Sequence, residues 1–110
     1  MPGDDVVDVG PEPLGFDEIV RVARWGAPIR LTGGAVAAMA AARSRVEELA
    51  AGGEPAYGIS TGFGALATRH IPTGLRARLQ RSLIRSHAAG SGGEVEDEVV
   101  RAMMLLRLRT

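Results

Sequence analysis

Two side chains in this sequence carry chemistry that their surroundings could put to use. Tyr57 is the only tyrosine, and it stands directly before the glycine-rich run Gly58-Ile59-Ser60-Thr61-Gly62-Phe63-Gly64. A phenol ordinarily titrates near ~10 and serves as a general base only when backbone N–H groups stabilise its anion. A glycine-rich loop can supply those donors, because its backbone turns freely and approaches closely. The other reading of Tyr57 is a core aromatic with its hydroxyl satisfied. His87 lies at steps of four from Leu75, Leu79 and Leu83, so the four share one helix face. Either the imidazole is a buried structural group, or that face lines a pocket in which His87 meets a polar ligand.

Other patterns are weaker. Gly58-Ile59-Ser60-Thr61-Gly62 has the spacing of a nucleophile elbow, which needs a strand before it and an Asp then a His after it. Pro55-Ala56 makes a poor strand, and His87 precedes Asp97, so the order is wrong. Gly62-Phe63-Gly64 lacks the third glycine of a phosphate-cradling loop, since Ala67 stands there. The acidic residues Glu94, Glu96, Asp97 and Glu98 occupy neighbouring positions that do not share a helix face, and read as a solvated helix start.

The elements that must position Tyr57 and His87 follow from periodicity, which predicts a mainly α chain. Val6-Val7-Asp8-Val9 reads as a short edge strand or part of a loose, acidic, proline-containing tail over residues 1–14. Phe16, Ile19, Val20 and Ala23 fall at helical spacing, with Gly26 as the stop. Pro28 to Leu31 is extended. Thr32 is a suitable N-cap for an alanine-rich helix running to about Ala51 and ended by Gly52-Gly53. Residues 52–74 hold six glycines and two prolines but keep Tyr57, Ile59, Phe63, Leu66 and Ile71, the pattern of a packed loop. A third helix is expected at about 75–89. A fourth begins near Glu94 to Asp97, where acidic residues suit the helix dipole. Val99, Val100, Met103, Met104, Leu105, Leu106 and Leu108 make this last helix apolar on nearly every side, as expected of a helix inside something larger. It reaches Thr110 without a stop signal, so the expectation is a segment cut from a longer chain.

Composition narrows the chemistry. The 110 residues contain no Cys and no Lys; all 13 basic residues are Arg, balanced by 13 acidic ones. Disulfides, thiolate zinc sites, a phosphate-loop lysine and a lysine Schiff base are therefore excluded. Two histidines cannot build a three-histidine metal site, so no metal is expected. Zero net charge and dispersed arginines give no nucleic-acid footprint. No apolar run approaches the ~20 residues of a membrane helix. The N-terminus has no secretory pattern, and the expectation is a soluble, cytoplasmic protein.

The ordered string Tyr57-Gly58-Ile59-Ser60-Thr61-Gly62-Phe63-Gly64, Leu79-Gln80-Arg81-Ser82-Leu83 and Ser86-His87-Ala88-Ala89-Gly90 resembles the N-terminal segment of the aromatic amino acid ammonia-lyases, over about residues 15–110. The resemblance implies a mostly helical, fumarase/aspartase-like fold in a homotetramer of much longer chains. It implies a methylidene-imidazolone prosthetic group made from an internal Ala-Ser-Gly triad, with Tyr57 as the base that removes the substrate's β-proton. His87 matches the histidine that contacts the substrate ring in histidine- and tyrosine-specific members, and its neighbours favour L-histidine over L-tyrosine. Gly58, Thr61 and Gly62 would shape the loop that delivers Tyr57, and Gly64 would allow close approach of substrate.

The sequence departs from the family in two ways. Ser60 stands where many members have Asn or Thr, at a variable position. No Ala-Ser-Gly triad occurs in the 110 residues, since Ala89-Gly90-Ser91-Gly92 is not that order, so these residues alone are expected to be inactive. Two alternatives remain. One is a segment of a tyrosine ammonia-lyase or aromatic aminomutase; the other is a non-catalytic helical module that binds a partner or self-associates through its last helix.

Overall fold

The computed structural model describes residues 4–62 and 69–110. Its elements in chain order are β1 (Val7–Val9), α1 (Phe16–Trp25), β2 (Ile29–Leu31), α2 (Gly33–Ala51), α3 (Thr73–His87) and α4 (Asp97–Arg109). They form two compact units. One runs up to Ala40 and includes Gly93–Thr110; the other is Ala41–Gly92.

In the first unit, the alternation Val-Asp-Val sends both valines inward and the aspartate outward. β1 pairs parallel with β2 in the register Val7 with Ile29 and Val9 with Leu31, so Val7–Val9 form a strand and not loose tail. A parallel pair needs a crossover, and α1 supplies it. Asp8 and Arg30 face each other in that register, and the guanidinium donates to both carboxylate oxygens at 2.8 and 3.1 Å.

Val7 and Val9, each 2% exposed, form the centre of the core with Val22, Ala27 and Leu105, and Leu14 and Ile19 pack against it. Burying each valine stabilises the unit by about 1.5–3 kcal/mol. The Glu18 carboxylate accepts the Gly15 N–H at 2.7 Å at the start of α1, and Gly26 ends the helix at φ 70°. The face that α1 buries keeps Ile19 and Ala23 of the expected stripe and adds Val22, whereas Phe16 and Val20 are exposed. α4 decides this by packing along α1, with Arg101 donating to the Ala23 carbonyl at 2.9 Å and Arg24 pairing with Glu98 at 2.9 Å. Periodicity gave a stripe; its exact azimuth depends on a partner 74 residues away.

α2 starts as expected, with the Thr32 hydroxyl accepting the Ala35 N–H at 3.1 Å. None of its residues is buried, Val36 and Met39 included. α4 buries only Leu105 and exposes Met103, Met104, Leu106 and Leu108. α3 begins at Thr73 and ends at His87, two residues earlier at each end than expected. Pro72 stands at its N-cap, and Ala88 leaves helical geometry at φ −79°, ψ 62°.

Candidate functional site

The second unit has few buried groups among its described residues, and the most buried are polar: Ser60 and Thr61 are 0% and 1% exposed. They build the turn that carries Tyr57. The Ala56 carbonyl accepts from the N–H groups of Ile59 and Ser60, both at 3.0 Å, which closes the chain over residues 56–60. The Ser60 hydroxyl accepts the Ala56 N–H at 2.8 Å. The Thr61 hydroxyl accepts the Gly58 N–H at 3.2 Å and donates to the Gly62 carbonyl at 3.0 Å. Gly58 sits at φ 70°, in the left-handed region where a side chain costs energy.

The turn is anchored at its base. Ile71 N–H donates to the Ser60 carbonyl at 2.8 Å and Gly62 N–H to the Arg69 carbonyl at 3.1 Å, either side of an antiparallel bridge between Thr61 and His70. Arg76 of α3 donates to the Ile71 carbonyl at 3.0 Å and also to the Ala50 carbonyl near the end of α2. Gln80, one turn further along α3, donates to the Gly58 carbonyl at 2.9 Å. The backbone on both sides of Tyr57 is thus held while the residue is 64% exposed. A buried core aromatic is not what this chain makes of Tyr57.

Ser60 cannot serve as an exposed nucleophile, because it is fully buried with its hydroxyl engaged to Ala56. The acidic residues behave as a helix start: Glu96 is the N-cap of α4, Glu98 pairs with Arg24, and Asp97 lies 3.9 Å from Arg101. Among the described residues, no group of three or more His, Asp or Glu could hold a metal ion.

His87 closes α3. Its face is not buried: Leu75 and His87 are exposed, while Leu79 and Leu83 are half-buried. His87 Nδ1 lies 2.9 Å from the Leu83 carbonyl and 3.0 Å from the Ser86 hydroxyl, which itself donates to Leu83 at 2.9 Å. Gln80 and His87 are seven residues apart, two helical turns on one face, or about 10 Å along the axis. The face of α3 that holds the Tyr57 turn therefore continues to the imidazole.

Tyr57, Gly58, Thr61 and Gly62 are gathered in one turn, and His87 lies on the helix that touches it. Gly64 lies outside the described residues. Reasoning from residue types alone did not single out Gln80, Arg76 or Ser86. Gln80 and Ser86 stand within the quoted string, but a hydrogen bond to a main-chain carbonyl leaves no periodic signal.

Comparison with known proteins adds a second line. Residues 14–110 match the family described as aromatic amino acid lyase. The chain is 61% identical over 104 residues to the histidine ammonia-lyase of Streptomyces avermitilis, covering 94% of this chain and 20% of that protein. It is 42% identical over 104 residues to the histidine ammonia-lyase of Treponema denticola, again covering 94% of this chain and 20% of the relative. A solved structure, the ergothioneine-degrading enzyme ergothionase from Treponema denticola in complex with desmethyl-ergothioneine sulfonic acid, superposes with a TM-score of 0.89 at 30% identity. That match covers 96% of this chain and 21% of the ergothionase chain. The chain spans about a fifth of the length of the curated relatives it matches.

Proposed function

The chain belongs to the aromatic amino acid lyase family, and on that premise we propose that it is the N-terminal segment of a histidine ammonia-lyase, which converts L-histidine to trans-urocanate and ammonia. Residues 15–110 are the N-terminal part of the lyase domain in this reading, and residues 1–14 precede it. The observation that carries the proposal is the presentation of Tyr57: an exposed phenol on a turn whose backbone is held by Ser60, Thr61 and Gln80.

The family uses a methylidene-imidazolone group, which supplies the electron sink that a weak carbon acid requires. The 110 residues contain no Ala-Ser-Gly from which to build it. What they contribute is the base and the ring contact. Tyr57 takes the β-proton of the substrate onto its phenolic oxygen, and the electron pair of that C–H bond forms the new double bond as ammonia leaves. The hydroxyls of Ser60 and Thr61 are spent on the turn's own backbone, so they fix where the phenol stands and take no proton from substrate. His87 meets the imidazole ring of the substrate, with Gly64 giving room for its approach. The residues alone are inactive in this reading.

The working enzyme is a cytoplasmic homotetramer in this proposal. The exposed Met103, Met104, Leu106 and Leu108 support burial of α4 against further protein, and no helix among the described residues is long and apolar enough to cross a membrane.

The test is product analysis of the intact, full-length protein given L-histidine or L-tyrosine. Urocanate from L-histidine is the expected product. A coumarate-type product without urocanate would overturn the substrate assignment, and no deamination of either would overturn the reaction.

A further inference from the structure

The guanidinium of Arg76 joins two stretches of backbone that are distant in the chain. Its Nε–H donates to the Ile71 carbonyl at 3.0 Å, and a terminal N–H donates to the Ala50 carbonyl, 26 positions back. Ala50 lies in the last turn of α2, and Ile71 stands just ahead of α3. The segment between them carries Tyr57, so the two bonds close its neck.

The charge is placed well for α2 and badly for α3. Arg76 stands near the N-terminal end of α3, where a cation opposes the helix dipole and no acidic residue of the first turn offsets it. α2 has no basic residue in its own last turn, where the terminal carbonyls lack partners within the helix. The Arg76 side chain reaches that end, at which positive charge is favourable. Both acceptors are main-chain oxygens, so Arg76 fixes the course of the backbone.

From Ile71 the restraint passes into the turn. The Ile71 N–H donates to the Ser60 carbonyl at 2.8 Å, and the Ser60 hydroxyl accepts the N–H of Ala56, the residue before Tyr57, at 2.8 Å. On the other side the chain runs from α2 to the turn through Gly52-Gly53-Glu54-Pro55. Its two glycines leave that connection poorly fixed by backbone preference.

We infer that Arg76 is a positioning residue: it clasps the end of α2 to the start of α3 and so sets where the turn presents Tyr57. The catalytic consequence rests on the proposed role of Tyr57 as base, whereas the clasp itself does not. A planar guanidinium reaches two carbonyls at once, which a lysine ammonium does less well. Bonds from a charged donor are also stronger than neutral ones. Losing them should loosen the turn on the order of 10-fold.

Two readouts on the intact, full-length protein test this in Arg76→Met, which keeps side-chain length without donors, and in Arg76→Lys, which keeps the charge. The first is amide hydrogen exchange. In Arg76→Met, exchange at Ser60, Gly62 and Ile71 should be on the order of 10-fold faster, with Arg76→Lys between it and the unaltered protein. The amides of β1 should keep their protection. Unchanged exchange in the turn overturns the clasp. Loss of protection that reaches β1 in both variants overturns its local character.

The second readout is steady-state kinetics with L-histidine. The expected kcat of Arg76→Met is lower on the order of 10-fold with KM nearly unchanged, and Arg76→Lys recovers part of the loss. Faster exchange with unchanged kcat overturns the positioning role while leaving the clasp. If the unaltered protein deaminates nothing, the proposed reaction fails and the positioning role with it. Hydrogen exchange still decides the clasp in that event, so the two failures are distinguishable.

Discussion

The side-chain amide of Gln80 donates a 2.9 Å hydrogen bond to the main-chain carbonyl of Gly58, the residue directly after Tyr57. This bond ties the helix ending in His87 to the turn that carries Tyr57, so the two residues share one mechanical frame. Gly58 itself adopts φ 70°, a conformation that L side chains disfavour.

Gln80→Ala should therefore lower kcat in the intact enzyme while leaving KM for L-histidine nearly unchanged. One such bond contributes about 1 kcal/mol, which is roughly 5-fold in rate if all of it serves to hold Tyr57 in place. Steady-state kinetics decides the matter: an unchanged kcat would show that the turn holds its shape without Gln80.

In the proposed reaction Tyr57 is the base, and Tyr57→Phe removes only its oxygen. Turnover should fall by about 10²–10⁴-fold, the usual contribution of a general base, with the fold and substrate binding retained. Circular dichroism and KM serve as controls beside the urocanate assay. Near-normal kcat in this variant would refute the base assignment.

His87→Phe replaces a polar ring with an apolar one at the end of α3. Preference should move from L-histidine toward L-phenylalanine, by about 10-fold or more in the ratio of kcat/KM values. Competition between the two amino acids measures that ratio directly. A ratio that stays put would place the substrate ring elsewhere.

Val9→Ala probes the first unit, far in sequence from the chemistry. Val9 is 2% exposed at the centre of a small core, so losing its two methyl groups should cost about 2 kcal/mol of stability. Val36→Ala, on the exposed face of α2, should cost much less. Thermal unfolding of the two variants side by side tests this, and equal losses would mean the core is centred elsewhere.

Sequence by itself determined most of the element plan. The Thr32 cap and the Gly26 stop are local signals, and local sterics and hydrogen bonding suffice to read them, whereas residues 6–9 read equally as strand or tail until the pairing with β2 made Val7–Val9 a strand. The string from Tyr57 to Gly90 also carried the family, because its order of residue types is specific. Three things were decided only in three dimensions. Val22 joined Ala23 on the buried face of α1 because the strand valines and Leu105 of α4 pack there, and periodicity cannot see partners so distant in the chain. Which residues of the turn are buried was settled only in three dimensions: Ser60 and Thr61 took the buried positions, and Tyr57 is exposed. His87 gained its neighbours, the Leu83 carbonyl and the Ser86 hydroxyl, only at the end of α3. Residue types state what a group can donate or accept; which of those capacities is already spent depends on the atoms that the fold sets beside it.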